Sequence, residues 1–209
     1  MTSFSRRCTV LTLVTTLGTG NLAGCGALLV GGAIVGGTMV ATDRRSSATQ
    51  LEDQLIESNA GSRIRELLGE RGKVTATSYN RLVLLTGDVV TESDKAAVEQ
   101  KVARVDSVRS VVNELAVAGS ASLSTSSNDA LLSTKVKASI ADTKGLYVNS
   151  IKVVTERGIV YMMGRVTERE ATQAANVARG VAGVNKVVRV FDILTEAELA
   201  EIQPKTATK

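Results

Sequence analysis

The residues around Cys25 specify a covalent modification. The motif Leu22-Ala23-Gly24-Cys25 follows two arginines, Arg6 and Arg7, and an uncharged, mostly apolar stretch. A signal peptidase of the lipoprotein type requires small residues before a cysteine, because the peptide enters extended with its thiol already carrying diacylglycerol. We therefore predict that residues 1–24 are a signal peptide and that Cys25, bearing S-diacylglycerol and an N-acyl chain such as palmitate, is the mature N-terminus. An ordinary secretory signal is the alternative.

The composition argues against enzymatic chemistry in the mature chain. The only other cysteine, Cys8, lies in the segment that would be removed, so no disulfide can form. The chain has no histidine, no nucleophile motif and no cluster of metal ligands. We therefore expect a protein that is not an enzyme and that holds no metal or cofactor. Nucleic-acid binding is also disfavoured, since the chain is exported and has few aromatic residues for base stacking.

The uncharged stretch continues beyond Cys25, up to residue 42. After cleavage only the 17 residues 26–42 would remain before the first charge, fewer than the roughly 20 that span a bilayer. Four glycines between residues 31 and 37 also disfavour a helix. We interpret residues 25–43 as a lipidated tether, with a membrane-spanning helix as the alternative. Gly26, where an Asp would favour inner-membrane retention, indicates an outer-membrane destination.

A stretch of the chain repeats itself at an offset of 77 residues. Residues 73–87 read KVTATSYNRLVLLTG and residues 150–164 read SIKVVTERGIVYMMG, with no gap between the two. Each copy has two apolar runs around a short turn and ends in glycine, which is typical of a β-hairpin. Gly87 and Gly164 are predicted to be structural, either because the backbone approaches closely there or because φ is positive.

Helical patterns surround each predicted hairpin. Thr91 and Thr167 follow the hairpins with capping-box chemistry, each with a carboxylate three residues later. Valine-rich strands are predicted at residues 111–117 and 187–193, and amphipathic segments precede the hairpins at 55–68 and 131–140. The predicted fold class is α+β. It consists of two tandem α-β-β-α-β units, each with two helices packed on a three-stranded mixed sheet.

These patterns divide the chain after the signal peptide and tether. The first domain spans residues 44–118 and the second spans residues 128–195. Between them, residues 119–127 read GSASLSTSS, which is the composition of a flexible linker. Residues 196–209 contain the only proline of the chain and are predicted to be a C-terminal tail.

Three local strings and the tandem units resemble a known family. The strings are Ala41-Thr42-Asp43 followed by Arg45-Ser46, Ser127-Asn128-Asp129 with Thr134-Lys135-Val136-Lys137, and the run VTEREA at residues 166–171. Together with the predicted lipidation motif, they resemble the dual BON-domain lipoproteins of Gram-negative outer membranes, the DolP (YraP) family. The resemblance covers essentially the whole mature chain and implies that both units are BON domains.

The resemblance also implies a function. It predicts a lipid-anchored, periplasm-facing protein of the outer membrane that maintains envelope integrity and is enriched at division sites. Its second BON domain would bind anionic phospholipid through that domain's first helix, where the candidate residues are Asp129, Leu131, Leu132, Lys135, Val136 and Lys137. The alternative is a periplasmic adaptor that binds outer-membrane or cell-wall proteins and contacts the membrane only through its lipid.

Charge is shared unequally between the two predicted domains. Residues 44–117 hold 11 basic and 11 acidic side chains, whereas residues 128–195 hold 10 basic and 6 acidic side chains. A net charge of +4 makes the second domain the better candidate for an anionic surface. The structural alternative is that Leu131 and Leu132 belong partly to the core and that the lysines form a solvated face.

Overall fold

The computed structural model describes residues 43–118 and 123–202. The predicted signal peptide, Cys25 and nearly all of the predicted tether lie outside these residues. The first repeat contains α1 (Ser47–Leu68), β1 (Gly72–Tyr79), β2 (Leu82–Val89), α2 (Glu92–Ala103), β3 (Ser110–Asn113) and β4 (Ala116–Val117). The second repeat contains α3 (Leu123–Ala141), a 3₁₀ turn (Val148–Ser150), β5 (Ile151–Glu156), β6 (Ile159–Thr167), α4 (Glu168–Arg179), β7 (Lys186–Leu194) and α5 (Glu196–Ile202).

Hydroxyl side chains cap the N-termini of α1, α2 and α4. Ser46 accepts a hydrogen bond from the backbone N–H of Thr49 at the start of α1, and Thr91 does the same for the N–H of Asp94 in α2. Thr167 and Glu170 form a reciprocal capping box at the start of α4. Because such bonds satisfy N–H groups that have no partner inside the helix, they fix where each helix begins.

Each repeat builds a mixed sheet around its hairpin. In the first repeat β1 and β2 are antiparallel, and the chain then returns through α2 to place β3 and β4 parallel to β2. In the second repeat β5 and β6 are antiparallel and β7 is parallel to β6. The predicted fold class, two tandem α+β units with mixed sheets, is therefore confirmed.

The last strand of the first sheet differs from the prediction. A single strand was expected over residues 111–117, but it is divided into β3 and β4. Between them, the side chain of Asn113 accepts a hydrogen bond from the N–H of Leu115 at 3.2 Å. This local bond competes with the regular ladder, whereas β7 in the second repeat continues without a break.

Both hairpins have two-residue turns in which each central residue has positive φ. These residues are Asn80 (52°) and Arg81 (64°) in the first repeat, and Arg157 (54°) and Gly158 (72°) in the second. Two successive residues with positive φ define a type I′ turn, whose twist matches that of the flanking strands.

One face of each sheet is covered by the two helices of its own repeat. The first helices contribute buried stripes at four-residue spacing, and the second helices contribute valines or alanines. In the first repeat the helical core residues are Ile56, Ala60, Ile64, Leu68, Val98 and Val102. In the second they are Val136, Ile140, Ala171, Ala174 and Ala178.

The opposite faces of the two sheets pack against each other. A third apolar cluster contains Tyr79 and Leu84 from the first repeat together with Tyr161, Met163 and Val190 from the second. The central strands β2 and β6 are consequently buried on both faces. The two repeats thus form four layers, with helices outside and the two sheets inside.

Two predicted boundaries are corrected by helices. The predicted linker of residues 119–127 extends into α3, which begins at Leu123. The predicted tail begins with α5, where Thr195 and Glu198 exchange hydrogen bonds in a capping box and Leu199 is only 6% exposed. The serine-rich composition at the first boundary suggested a linker. A helix can nevertheless start there, because serine is only slightly unfavourable within a helix. At the second boundary, the capping-box spacing of Thr195 and Glu198 indicates the helix start from the sequence alone.

Candidate functional site

A groove in the second domain contains four of the six predicted phospholipid-binding residues. It lies between α3, the β5–β6 turn and the loop from α4 to β7, and its volume is about 450 Å³. Its lining residues are Asn128, Asp129, Leu131, Leu132, Lys135, Arg157, Gly158, Ala182, Gly183 and Asn185. The groove therefore combines apolar side chains with cationic ones.

Leu131 is the prominent apolar side chain of this groove. It is 62% exposed, whereas Leu132 beside it is 7% exposed and faces the interior. Lys135 is also exposed and lies four residues after Leu131, on the same face of α3. An apolar side chain and a cation are thus presented together to solvent, as a lipid headgroup boundary requires.

Asp129 and Val136 have interior positions. The carboxylate of Asp129 accepts hydrogen bonds from the backbone N–H groups of Arg157 at 2.7 Å and Gly158 at 2.8 Å. Val136 is completely buried in the core of the second repeat. Asp129 therefore holds the β5–β6 turn and Val136 packs the helix, so neither presents an apolar or cationic surface to a ligand.

Lys137 lies on the opposite flank of α3 from Lys135. Two positions along a helix correspond to a rotation of about 200°. Lys137 instead lines a separate pocket of about 290 Å³ with Arg45, Tyr79 and Lys152, at the junction between the repeats. The two lysines therefore do not belong to one surface.

The first repeat contains an equivalent of Asp129 that the sequence reasoning missed. Asp53 aligns with Asp129 at an offset of 76 and accepts hydrogen bonds from the hydroxyl of Ser78 (2.6 Å) and from the N–H groups of Asn80 and Arg81 (2.8 Å each). Its exposed fraction is 2%. Extending the repeat alignment upstream of the hairpins, with a shift of its offset from 77 to 76, would have paired the two aspartates.

Asp53 predicts an acid-sensitive first domain. Burial by itself would raise the pKa of Asp53, but the hydrogen bonds from Ser78, Arg81, Arg45 and Asn80 outweigh it and lower the pKa below its usual value. The carboxylate therefore contributes stability above its unfolded pKa of about 4, and this contribution is lost as the pH falls through the lower folded value. We expect urea unfolding to show a free energy of unfolding that decreases below about pH 4.

The control for this pH dependence is the variant Asp53→Asn. It should flatten the acid limb, whereas Asp106→Asn, at an exposed position, should leave it unchanged. An acid limb of full size in Asp53→Asn would contradict the assignment.

Backbone crowding surrounds both glycines at the strand ends. Gly87 has a φ of 113°, and a side chain there would meet the carbonyl oxygen of Lys73. A side chain at Gly164 would meet the carbonyl oxygen of Ser150. At both positions the backbone of another segment therefore lies directly against the glycine.

Polar contacts surround the apolar contact between the sheets. Asp88 pairs with Arg157, and Asn80 donates a hydrogen bond to Asp192 at 2.8 Å. Lys152 pairs with Glu57 at 2.7 Å. Both hairpin turns thus contact the other repeat. The doubly apolar central strands were a signal for this docking, since strands buried on both faces have nearly continuous apolar sequences.

Two further properties concern the described part of the chain. Within residues 43–118 and 123–202, no three His, Cys, Asp or Glu side chains are grouped so that they could hold a metal ion. None of the helices in these ranges has the length and apolar character needed to cross a bilayer.

Two known proteins are similar to this chain in sequence. The chain is 36% identical to "Outer membrane lipoprotein DolP" of Haemophilus influenzae over 176 residues, which cover 83% of this chain and 90% of that protein. It is 30% identical to the "21 kDa hemolysin" of Actinobacillus pleuropneumoniae over 152 residues, covering 72% of this chain and 78% of that protein.

A solved structure of CdsD, a structural protein of the type III secretion system of Chlamydia trachomatis, also matches. The match covers 70% of this chain and 98% of that one, but its TM-score is 0.28 and its identity is 12%, so we draw no argument from it. The BON domain family matches residues 53–119 and 128–195, which are the two α-β-β-α-β repeats. The chain therefore belongs to the BON-domain family, as a tandem BON protein similar to the outer membrane lipoprotein DolP.

Proposed function

We propose that this protein is a non-enzymatic outer-membrane lipoprotein that maintains envelope integrity. In this proposal, lipid on Cys25 anchors the chain, the two BON domains face the periplasm, and the second domain binds anionic phospholipid at the membrane surface, including division sites. The similarity to DolP, whose name describes an outer membrane lipoprotein, supports the location. The lipidation motif supports the anchor.

The observation that carries the lipid-binding part is the pairing of Leu131 with Lys135 at the groove. A leucine that is 62% exposed has no role in the core, and burial in a lipid interface would remove its apolar surface from water. A basic residue close to an anionic membrane contributes about 1 kcal/mol. A few such contacts give weak, reversible binding, which suits a domain that is already held near the membrane by an anchor.

Co-sedimentation with vesicles tests this binding. Residues 42–209 form one compact unit and can be used without the lipidated segment. We expect sedimentation with phosphatidylglycerol vesicles and not with phosphatidylethanolamine vesicles. Lys135→Glu should weaken binding by about tenfold, because it replaces a contribution of about 1 kcal/mol with repulsion. Leu131→Glu should weaken binding at least as much.

Leu55 provides a matched control for Leu131. It occupies the equivalent position in α1 at an offset of 76 and is 55% exposed, but it belongs to a domain with no net charge. Leu55→Glu should therefore leave vesicle binding unchanged. Lys137→Glu, on the other flank of α3, should have a smaller effect than Lys135→Glu. Equal losses in Leu55→Glu and Leu131→Glu would contradict the assignment to the groove.

The exposed leucines of α1 favour the adaptor as a second candidate function. Leu51 and Leu55 are 58% and 55% exposed, and a separation of four residues places them on one face of the helix. This apolar pair would suit an envelope or cell-wall protein. If the fragment folds but binds neither kind of vesicle, the adaptor becomes the better explanation, with loss of function in Leu55→Glu as its test.

A further inference from the structure

Arg44 lies just before α1 in sequence but binds the second domain. Its guanidinium donates two hydrogen bonds to the carboxylate of Glu170, both at 2.7 Å, and a third to the carbonyl oxygen of Arg165 at 2.8 Å. The exposed fractions of the two charged side chains are 5% and 3%. This is a buried, bidentate ion pair between residues 126 positions apart.

The two repeats differ at this position. Glu170 is the third residue of α4, and its equivalent in α2 is Asp94 at an offset of 76. Asp94 pairs at 2.9 Å with Arg71, an arginine of its own repeat that is 60% exposed. The position equivalent to Arg71 falls at Tyr147 or Val148. The second repeat therefore has no basic residue of its own in this place.

Arg44 occupies the place of the missing arginine. Its guanidinium lies over the ring of Tyr147, 5.8 Å from the ring centre. Burial by itself would raise the pKa of Glu170, but the hydrogen bonds from Arg44 and from the N–H of Thr167 outweigh it and lower the pKa. Without Arg44, a buried carboxylate would lose its compensating charge, which is strongly unfavourable.

Arg45, the next residue, binds side chains of the first domain. Arg45 pairs with Asp43 at 2.7 Å and Asp53 at 2.8 Å, and its guanidinium lies 4.0 Å from the ring centre of Tyr79 in β1. Two consecutive arginines thus bind different repeats at the junction between them.

We propose that Arg44 is a positioning residue through which the segment before α1 completes the second domain. The buried pair with Glu170 holds residues 43–45 at the junction, so that this short segment contacts both BON domains. This role does not depend on the proposed lipid binding or on acylation of Cys25.

Limited trypsin digestion of the full chain tests this role directly. Residues 26–43 contain no lysine or arginine, so the first tryptic sites after Cys25 are those following Arg44 and Arg45. In the native protein both sites should resist cleavage. Glu170→Ala should accelerate cleavage there by about tenfold or more, as expected when one partner of a buried pair is removed and the segment opens locally. Mass spectrometry identifies the fragments beginning at residues 45 and 46.

Three further variants separate this role from general destabilisation. Asp94→Ala breaks the equivalent pair in the first repeat and should leave cleavage after Arg44 and Arg45 unchanged. Arg44→Gln leaves α4 intact and should accelerate cleavage after Arg45, whereas Arg44→Lys should restore protection partly, since a lysine cannot form the bidentate pair. If Glu170→Ala unfolds the second domain by circular dichroism, the result for Arg44→Gln decides.

Hydrogen exchange supplies a second readout. In Arg44→Gln we expect faster exchange of backbone amides at residues 165–171 and unchanged exchange at the equivalent residues 89–95. Protection of the tryptic sites in Arg44→Gln equal to that of the native protein would overturn the proposal. Equal acceleration of exchange in both repeats would also overturn it.

Discussion

Replacing Gly87 with valine should unfold the first BON domain. The φ of 113° at Gly87 is unfavourable for any residue with a side chain, and the new Cβ would meet the carbonyl oxygen of Lys73 on the adjacent strand. Backbone strain and forced displacement together should cost about 3–5 kcal/mol. A domain of this size has a stability of only about 3–5 kcal/mol from its core. Circular dichroism and protease resistance at 25 °C would reveal the loss.

Two other glycines make this prediction specific. Gly69 also has positive φ (55°), but nothing lies within 4 Å of the position of its Cβ. Gly69→Ala should therefore cost less, about 1–3 kcal/mol, which is the cost of the backbone conformation alone. Gly164→Val repeats the backbone collision in the second domain, against Ser150. A Gly164→Val protein that remains fully folded but no longer binds vesicles would contradict a structural role for this glycine.

Replacing Asp53 with alanine should destabilise the first domain by about 3–5 kcal/mol, because several donors lose their shared acceptor at once. The substitution removes the acceptor for the hydroxyl of Ser78 and for the N–H groups of Asn80 and Arg81. It also removes one of the two carboxylates that Arg45 contacts, so that only Asp43 remains as its partner. The β1–β2 turn would then lose its attachment to α1. Urea unfolding at pH 7 measures the change.

Asp129→Ala is the matched substitution in the second domain. The carboxylate of Asp129 accepts two backbone hydrogen bonds at the turn, from Arg157 and Gly158, and so its loss should cost less, about 2 kcal/mol. The phospholipid hypothesis also includes Asp129, and vesicle binding by this variant therefore distinguishes the two roles. Binding that falls only in proportion to the unfolded fraction would support the structural role.

Local patterns determined the repeating unit of this protein. The hairpins, the capping residues Thr91 and Thr167 and the buried stripe of each helix depend on residues that are close in sequence. For this reason, an offset of 77 residues and the alternation of apolar side chains were sufficient to predict two α-β-β-α-β units. The helix start at residue 123 was missed because the surrounding sequence is rich in serine. The helix start at residue 196 was missed although Thr195 and Glu198 have the spacing of a capping box.

The candidate site was only partly accessible to the same reasoning. The sequence identified α3 and its residues Leu131 and Lys135, which the structure places together at the groove. Helical spacing places Lys135 and Lys137 on different flanks, but it could not show which flank faces the first domain. Asp129 and Val136 were grouped with them by position on the helix. Their interior roles depend on contacts with the β5–β6 turn and with the core, which the helical pattern does not show.

By itself, the sequence determined the secondary-structure elements, their order and the excess positive charge of the second domain. The tertiary structure decided how the two sheets dock, which polar side chains hold the turns, and that Arg44 pairs with Glu170. These features join residues that are 25 to 126 positions apart. Hydrophobic burial drives such packing in proportion to area and without direction, so that the partner of each face is fixed only when both complete domains are present.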